Sequence, residues 1–243
     1  MTAAPLPSNS LVLNLADVAR ATTGELLGAA DLAIRGVSTD SRGNLQGKLF
    51  VALSGERFDG HDFVGRAREL GAAAVLVERD VPSEIPAVKV TSTLSALGAL
   101  GALRRKSWGG KLVAVAGSAG KTTTRAAISA LLEAAEPGAV HYARGNFNNL
   151  IGVPLVLLSL GDSERLAVVE LGTNRPGEVE ALTRMVQPDA ALLTLIGYEH
   201  TEGLGDLDGV EAEEGALFAH LPRAAVALGN SDDARVARQL AKV

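Results

Sequence analysis

Short apolar runs alternate with amphipathic stretches along most of the chain, and that alternation predicts an α/β protein. Leu13 to Leu27 has helical spacing, with Asn14 as its candidate cap. From Ile34 to Phe63, two β-rich runs flank turn-forming Ser, Asp, Asn and Gly residues, and Asp59-Gly60 is the strongest turn signal. Phe63 to Gly71 then predicts a helix, Ala72 to Glu78 a buried strand, and Val88 to Thr91 one more strand. Thr91 to Lys106 reads as a helix that opens at Thr91 or Ser92 and closes on Arg104, Arg105 and Lys106. A domain boundary is expected just before it, near residue 90, giving domains 1–90 and 91–243.

The second of these holds the stretch on which the rest is organised, KLVAVAGSAGKTTTRAAISALL at 111–132. A strand (Leu112 to Ala116) runs into a small-residue loop (Gly117, Ser118, Ala119, Gly120), and a helix begins near Lys121 and Thr122. Beyond it, Pro137-Gly138 breaks the chain. Leu166 to Gly172, Ala190 to Gly197 and Ala224 to Gly229 read as further strands, Asp208 to Leu221 as a helix, and Asn230-Ser231-Asp232 as the start of another. Strands alternating with helices indicate a parallel sheet with ligands at the strands' carboxyl ends.

A turn of this kind lets backbone N–H groups converge on one anion while the helix start adds partial positive charge, so phosphate is the natural ligand. Lys121 is placed to reach terminal phosphates and the Thr122 hydroxyl to ligate Mg²⁺. Gly117, Ser118, Ala119, Gly120, Lys121, Thr122 and Thr123 are the candidate phosphate contacts. The longer phosphate-loop pattern asks for glycine where Val115 stands, so only G-x-x-G-K-T is present. An ordinary strand-to-helix turn could carry that string; the strand before it and the helix after it supply the context a nucleotide site requires.

Composition narrows the partners. The 243 residues are 47% hydrophobic and 21% charged, enough for one large core or two smaller ones in a soluble globular protein. A net charge of −5 without blocks of like charge disfavours nucleic acid and anionic membranes. Aromatic residues make up only 3%, which leaves few stacking platforms for single strands. The absence of cysteine excludes disulfides, zinc thiolates and thiol nucleophiles. No basic-then-apolar leader opens the sequence MTAAPLPSNS and no apolar run is long enough to span a bilayer, so a cytoplasmic protein is expected.

Five stretches resemble the ATP-dependent Mur ligases of peptidoglycan synthesis: STDSR at 38–42 with LFVAL and DGHDF after it, GSAGKTTT at 117–124, GNFNNLIGVP at 145–154, VVELGTNRPGEV at 168–179 and GNSDD at 229–233. They span most of the chain in the family's order, and GNFNNLIGVP is similar to the branch that joins D-alanyl-D-alanine to UDP-N-acetylmuramoyl-tripeptide. The resemblance implies a small α/β amino-terminal domain for the UDP-sugar and a P-loop-type, parallel-sheet ATP-binding domain, here incomplete. It also implies a reaction in which the γ-phosphate of ATP activates the tripeptide carboxylate as an acyl phosphate, which the dipeptide amine then attacks. ATP and Mg²⁺ are the implied cofactors.

The same resemblance suggests roles residue by residue. Ser41 and Arg42 fall where the UDP-sugar is held, although Ser and Asp in turns also satisfy backbone groups; His61 reads as an interior hydrogen-bond partner. Glu170 falls at a metal ligand's place, with a salt-bridged strand-end glutamate as the other reading. His200 matches the histidine of a second metal site. Asn148 and Asn149 belong to a substrate-facing loop or simply make turns. Asn230 falls near the adenine or caps a helix.

Two departures from the pattern stand out. Leu195 replaces the family's usual asparagine, and Glu214 stands where many relatives carry a carbamylated lysine. Glu214 either supplies that carboxylate directly, without CO₂, as a catalytic and metal-binding residue beside Lys121 and His200, or belongs with Glu211 and Glu213 to a glutamate-rich helix start. Family members also continue beyond the point where this sequence stops, which suggests an amino-terminal fragment or a chain that needs a partner. The rival expectations are therefore a non-catalytic nucleotide or UDP-sugar binding module, and a sister ligase adding a different amino acid; STDSR and GNFNNLIGVP argue against folate polyglutamylation.

Overall fold

A computed structural model describes residues 5–9, 11–55, 58–81, 84–142 and 145–243. Part of the amino-terminal stretch MTAAPLPSNS lies outside the described residues. The chain divides into two compact units, residues 8–103 and residues 104–243 together with the described residues 5–7.

In the first unit, β1 (Val12–Asn14) leads into α1 (Leu15–Thr22), which Asn14 caps by accepting the Asp17 N–H at 2.7 Å. The helix predicted over 13–27 is shorter than the spacing suggests. Thr23 adopts a left-handed φ of 51° and Gly24 follows, so the chain leaves the helix and forms β2 (Glu25–Leu27). A Cβ at Gly24 would lie 2.5 Å from the Val88 side chain, so glycine here permits close strand packing. β3 (Ala33–Arg35), β4 (Val37–Ser38), β5 (Leu49–Val51), α2 (Val64–Glu69), β6 (Ala74–Val77) and β7 (Ala87–Lys89) follow. The sheet order is β2-β7-β6-β5-β4, parallel except for β2, while β1 and β3 form a separate antiparallel pair. All four residues of β6 are buried, as the interior of a parallel sheet demands.

The helix α3 (Thr93–Trp108) contains the division between the units, at Leu103, whereas the expected domain boundary lay ahead of this helix. The second unit continues with β8 (Lys111–Ala116), α4 (Lys121–Ala135), β9 (Val140–His141), α5 (Gly152–Leu158), β10 (Leu166–Glu170), α6 (Glu178–Val186), β11 (Ala190–Leu193), α7 (Thr201–Leu204), α8 (Leu207–Ala219), β12 (Val226–Gly229) and α9 (Ala234–Leu240). Its five strands are parallel in the order β12-β11-β8-β10-β9, so β8 is central. Apolar residues of β8, β10 and β11, including Leu112, Val169 and Leu193, pack with Val153, Leu157 and Val210 from the helices. Each fully buried leucine among them contributes roughly 1.5–3 kcal/mol. Every residue of α5 is buried, so GVPLVLL has no polar face for a periodicity argument to find. Pro154 fits in its first turn, where an N–H has no helical acceptor. Among the described residues, no helix is long and apolar enough to cross a membrane.

Candidate nucleotide site

The carboxyl end of β8 delivers the chain to the loop at 117–120. Gly117 (φ 121°) and Gly120 (φ 81°) both occupy left-handed backbone. A Cβ on Gly117 would also fall 2.2 Å from Thr194 Oγ1, so both conformation and space require glycine there. α4 begins directly at Lys121 with no side-chain cap, leaving its first-turn N–H groups to an outside acceptor.

The amides at the front of the loop have partners within the protein. The Gly117 N–H donates to Glu214 Oε2 at 2.8 Å and the Ser118 N–H to the Leu195 carbonyl at 2.9 Å. Ser118 Oγ also donates to the Gly197 carbonyl at 3.0 Å and accepts the Gly197 N–H at 2.9 Å, joining the loop to the segment after β11. Thus Ser118 braces the turn, and the amides aimed outward belong to the later part of the expected contact set, toward Lys121, Thr122 and Thr123.

Thr122 and Glu170 meet as the sequence suggests. The Thr122 hydroxyl donates to Glu170 Oε2 at 3.0 Å, while Asn148 Nδ2 donates to Oε1 at 2.9 Å and the Arg125 guanidinium lies 3.6 Å away. Glu170 is buried at the last position of β10, which parallel pairing sets beside β8. Asn148 therefore orients the glutamate. Asn149 does a different job, its Oδ1 accepting the Ile151 and Gly152 N–H groups at 3.1 and 2.8 Å as α5 begins. These are hard oxygen donors of the kind Mg²⁺ takes.

Among the described residues no group of three or more His, Asp or Glu side chains is arranged to hold a metal, so the expected set of Glu170, His200 and Glu214 is not brought together as one. Lys121 lies among the remaining acidic groups. Its ammonium donates to the Gly117 carbonyl at 2.5 Å and lies 3.4 Å from Glu199 Oε2, which is 4.0 Å from His200 Nε2. Glu214 is fully buried, and its carboxyl and that of Glu199 form a hydrogen-bonded acid pair in which the protonated Glu214 donates. Burial, and after it the neighbouring Glu199 carboxyl, push the Glu214 carboxyl well above the ordinary range, against the pull of Lys121. Sequence reasoning assigned no role to Glu199; its signal is a lone carboxylate closing the apolar run LLTLIGY.

The adjacent Glu213 behaves differently. It accepts from Thr173 Oγ1 (3.0 Å), Gly177 N–H (2.7 Å) and Val179 N–H (2.8 Å), tying α8 to the start of α6. Glu211 accepts from Arg235, Arg238 and Gln239 of α9; the Arg238 hydrogen bond is the main cause that lowers its carboxyl to about 2. Asn230 borders an open cavity of about 410 Å³ lined by Thr124, Leu192, Leu193, Thr194, Leu228 and Gly229. Its Oδ1 accepts the Asp232 N–H at 3.1 Å, while Asp233 caps α9 and also accepts the Ile196 N–H at 2.8 Å.

In the first unit, Arg42 is exposed and makes a two-pronged pair with Asp40 at 2.8 and 3.0 Å, beside half-buried Ser41. That pair holds the Asp40 carboxyl below its usual value. His61 is buried, its Nδ1 2.6 Å from Asp59 and its Nε2 accepting the Glu78 N–H at 2.8 Å, an interior partner as expected.

Comparison with known proteins bears on both units. The Mur ligase middle domain profile matches residues 115–243, and the profile described as the Mur ligase family catalytic domain matches residues 33–105. The chain is 41% identical over 210 residues to the UDP-N-acetylmuramoyl-tripeptide–D-alanyl-D-alanine ligase of Escherichia coli (strain K12), covering 86% of this chain and 46% of that protein. The Bacillus subtilis (strain 168) ligase of the same name is 43% identical over 180 residues, covering 73% and 39%. Among solved structures, MurF from Acinetobacter baumannii superposes with a TM-score of 0.88 at 35% identity, over 98% of this chain and 52% of that one. The MurF ligase from Thermotoga maritima in complex with ADP gives 0.76 at 30% identity, over 85% and 48%. The chain spans about half the length of the curated relatives it matches. With the middle-domain match covering more than half of its residues and placed on the phosphate loop just described, the chain belongs to the Mur ligase family.

Proposed function

We propose that this chain forms the UDP-sugar-binding and nucleotide-binding parts of an ATP-dependent ligase that joins D-alanyl-D-alanine to UDP-N-acetylmuramoyl-tripeptide. The observation that carries the reading is the Thr122–Glu170 contact at the start of α4, beside the only G-x-x-G-K-T loop in the sequence. In this reading the first-turn amides of α4 and Lys121 hold the phosphates of ATP. Thr122 and Glu170 hold Mg²⁺, with Asn148 keeping the carboxylate in orientation; the metal supplies charge neutralisation at the phosphates. His200 and Glu214 border the transfer point, and Asn230 faces the base from the cavity beside β12. Ser41 and Arg42 meet the UDP-sugar in the first unit, Arg42 exchanging Asp40 for a phosphate oxygen.

The chemical difficulty is that a substrate carboxylate must approach a triphosphate. Positioning and electrostatic compensation dominate such transfers. The carboxylate oxygen takes the γ-phosphoryl group and ADP leaves. The dipeptide amine then attacks the acyl carbon, and phosphate departs as the amide forms. A cytoplasmic location suits these nucleotide substrates.

Two measurements on the 243-residue chain test the reading. Calorimetry with ADP and ATP is expected to show binding that depends on Lys121, and ADP release is measured with UDP-muramoyl-tripeptide and D-alanyl-D-alanine. A folded chain that binds ATP yet stays silent with both acceptors supports a binding module instead. Turnover with a different amino acid in a substrate panel supports a sister ligase. Rescue of turnover by bicarbonate would count against Glu214 as the carboxylate that replaces a carbamylated lysine.

A further inference from the structure

The ammonium of Lys121 is already engaged. It is 3.4 Å from Glu199 Oε2 and 2.5 Å from the Gly117 carbonyl, with the Lys121 and Glu199 side chains only 14% and 15% exposed. Glu213, one position before Glu214, has its oxygens taken up by neutral donors at the start of α6. Glu199 instead is shared between the Lys121 ammonium and the Glu214 carboxyl, which hydrogen-bonds it. Ser118 fixes the distance between the two segments through its bonds to Leu195 and Gly197, so Glu199 is held within reach of the loop.

We propose that Glu199 is an internal competitor for the nucleotide's phosphates: its carboxylate holds Lys121 until a phosphate displaces it, and so sets the nucleotide affinity of this site. The inference rests on the phosphate-loop reading above. Two anions cannot both take full advantage of one poorly solvated ammonium, and whatever attraction Glu199 gives up is subtracted from binding. The terminal phosphate is the one expected to reach Lys121, so ATP feels the competition more than ADP does.

The test is calorimetric binding of ATP and ADP to the 243-residue chain, first in EDTA and then with Mg²⁺. Glu199→Gln is expected to bind ATP about tenfold more tightly, the fold-change for one charge-assisted contact no longer lost, and ADP by a smaller factor. The gain should vanish in Lys121→Met/Glu199→Gln, which has no ammonium to release. Unchanged or weaker binding by Glu199→Gln, while Lys121→Met alone weakens it, overturns the competitor and leaves the phosphate site standing. Weakening confined to Mg²⁺ buffer makes Glu199 a cation ligand and also overturns it. Should Glu199→Gln fail to fold, Glu199→Ala removes the same carboxylate, and no gain in ATP affinity there is equally fatal. If neither the parent chain nor the Glu199 variants bind nucleotide, the phosphate-loop reading itself fails.

Discussion

The surroundings of His61 and of Lys121 are built from the same kinds of residue and end in opposite states. His61 joins Asp59 to the Glu78 backbone, Glu78 Oε1 accepts the Thr93 N–H and hydroxyl at 2.7 and 2.9 Å, and Arg79 reaches Asp59 at 2.6 Å. Bonds from the His61 backbone and ring, and then from Arg79, hold the Asp59 carboxyl far below its usual value. Around Lys121, by contrast, Glu199 and Glu214 form a carboxyl pair beside the ammonium, which lies 3.4 Å from Glu199. A network that alternates donors and acceptors braces a fold, whereas two acids beside one ammonium stay responsive to the next charge that arrives. His61 and Lys121 therefore teach that burial and charge alone do not identify a site; the balance of acids against donors does.

The contrast can be broken by substitution. The largest effect is expected from Gly117→Ala, which forces a side chain into left-handed backbone and against Thr194; thermal melting should register a loss of about 3 kcal/mol. Lys121→Met should lower the melting temperature, because it strands the buried Glu199 carboxylate, and weaken ATP binding by about 100-fold in calorimetry, the scale of a lost charged contact. His61→Ala should cost about 2 kcal/mol in denaturant unfolding by stranding the Glu78 N–H while leaving ATP affinity unaltered. If His61→Ala moved nucleotide affinity as strongly as Lys121→Met does, the distinction between bracing and binding networks would collapse.

A smaller effect tests a third network, in which Glu211 anchors α9. Its folded value of about 2 lies below that of an unfolded glutamate, so its contribution is present above the unfolded value and is lost as pH falls toward 2. Between pH 5 and pH 2 the melting temperature of the parent chain should therefore converge, by a few degrees, on that of Glu211→Gln. A constant gap across that window would show that the Arg235 and Arg238 contacts add little.

Much of the site was legible because its signals are local. The strand before Gly117, the helix at Lys121 and the carboxylate closing β10 follow from spacing and residue type, and the joint likeness of five short stretches extended them to a family. What escaped depends on distant partners. Gly117 and Ser118 face inward because Glu214 and Leu195 capture their amides, and sequence spacing carries no trace of that. Asn149 and Asn148 look alike in the sequence, yet one serves the turn into α5 and the other Glu170. Glu213 and Glu214 are chain neighbours separated in role by the helix turn, which directs one toward α6 and the other toward the loop. In the first unit, the helix over 13–27 was overextended because its apolar spacing continues into residues that pair with β7 instead.

The bond from the Gly117 amide to Glu214 crosses 97 positions of sequence. During synthesis the glycine leaves the ribosome long before the glutamate that will steady it. Any early form of the turn must wait, or be held by something else, until the first turns of α8 emerge. Translation speed through residues 118–214 should thus govern how long an immature phosphate cradle is exposed to cellular chaperones and to the abundant nucleotides around it.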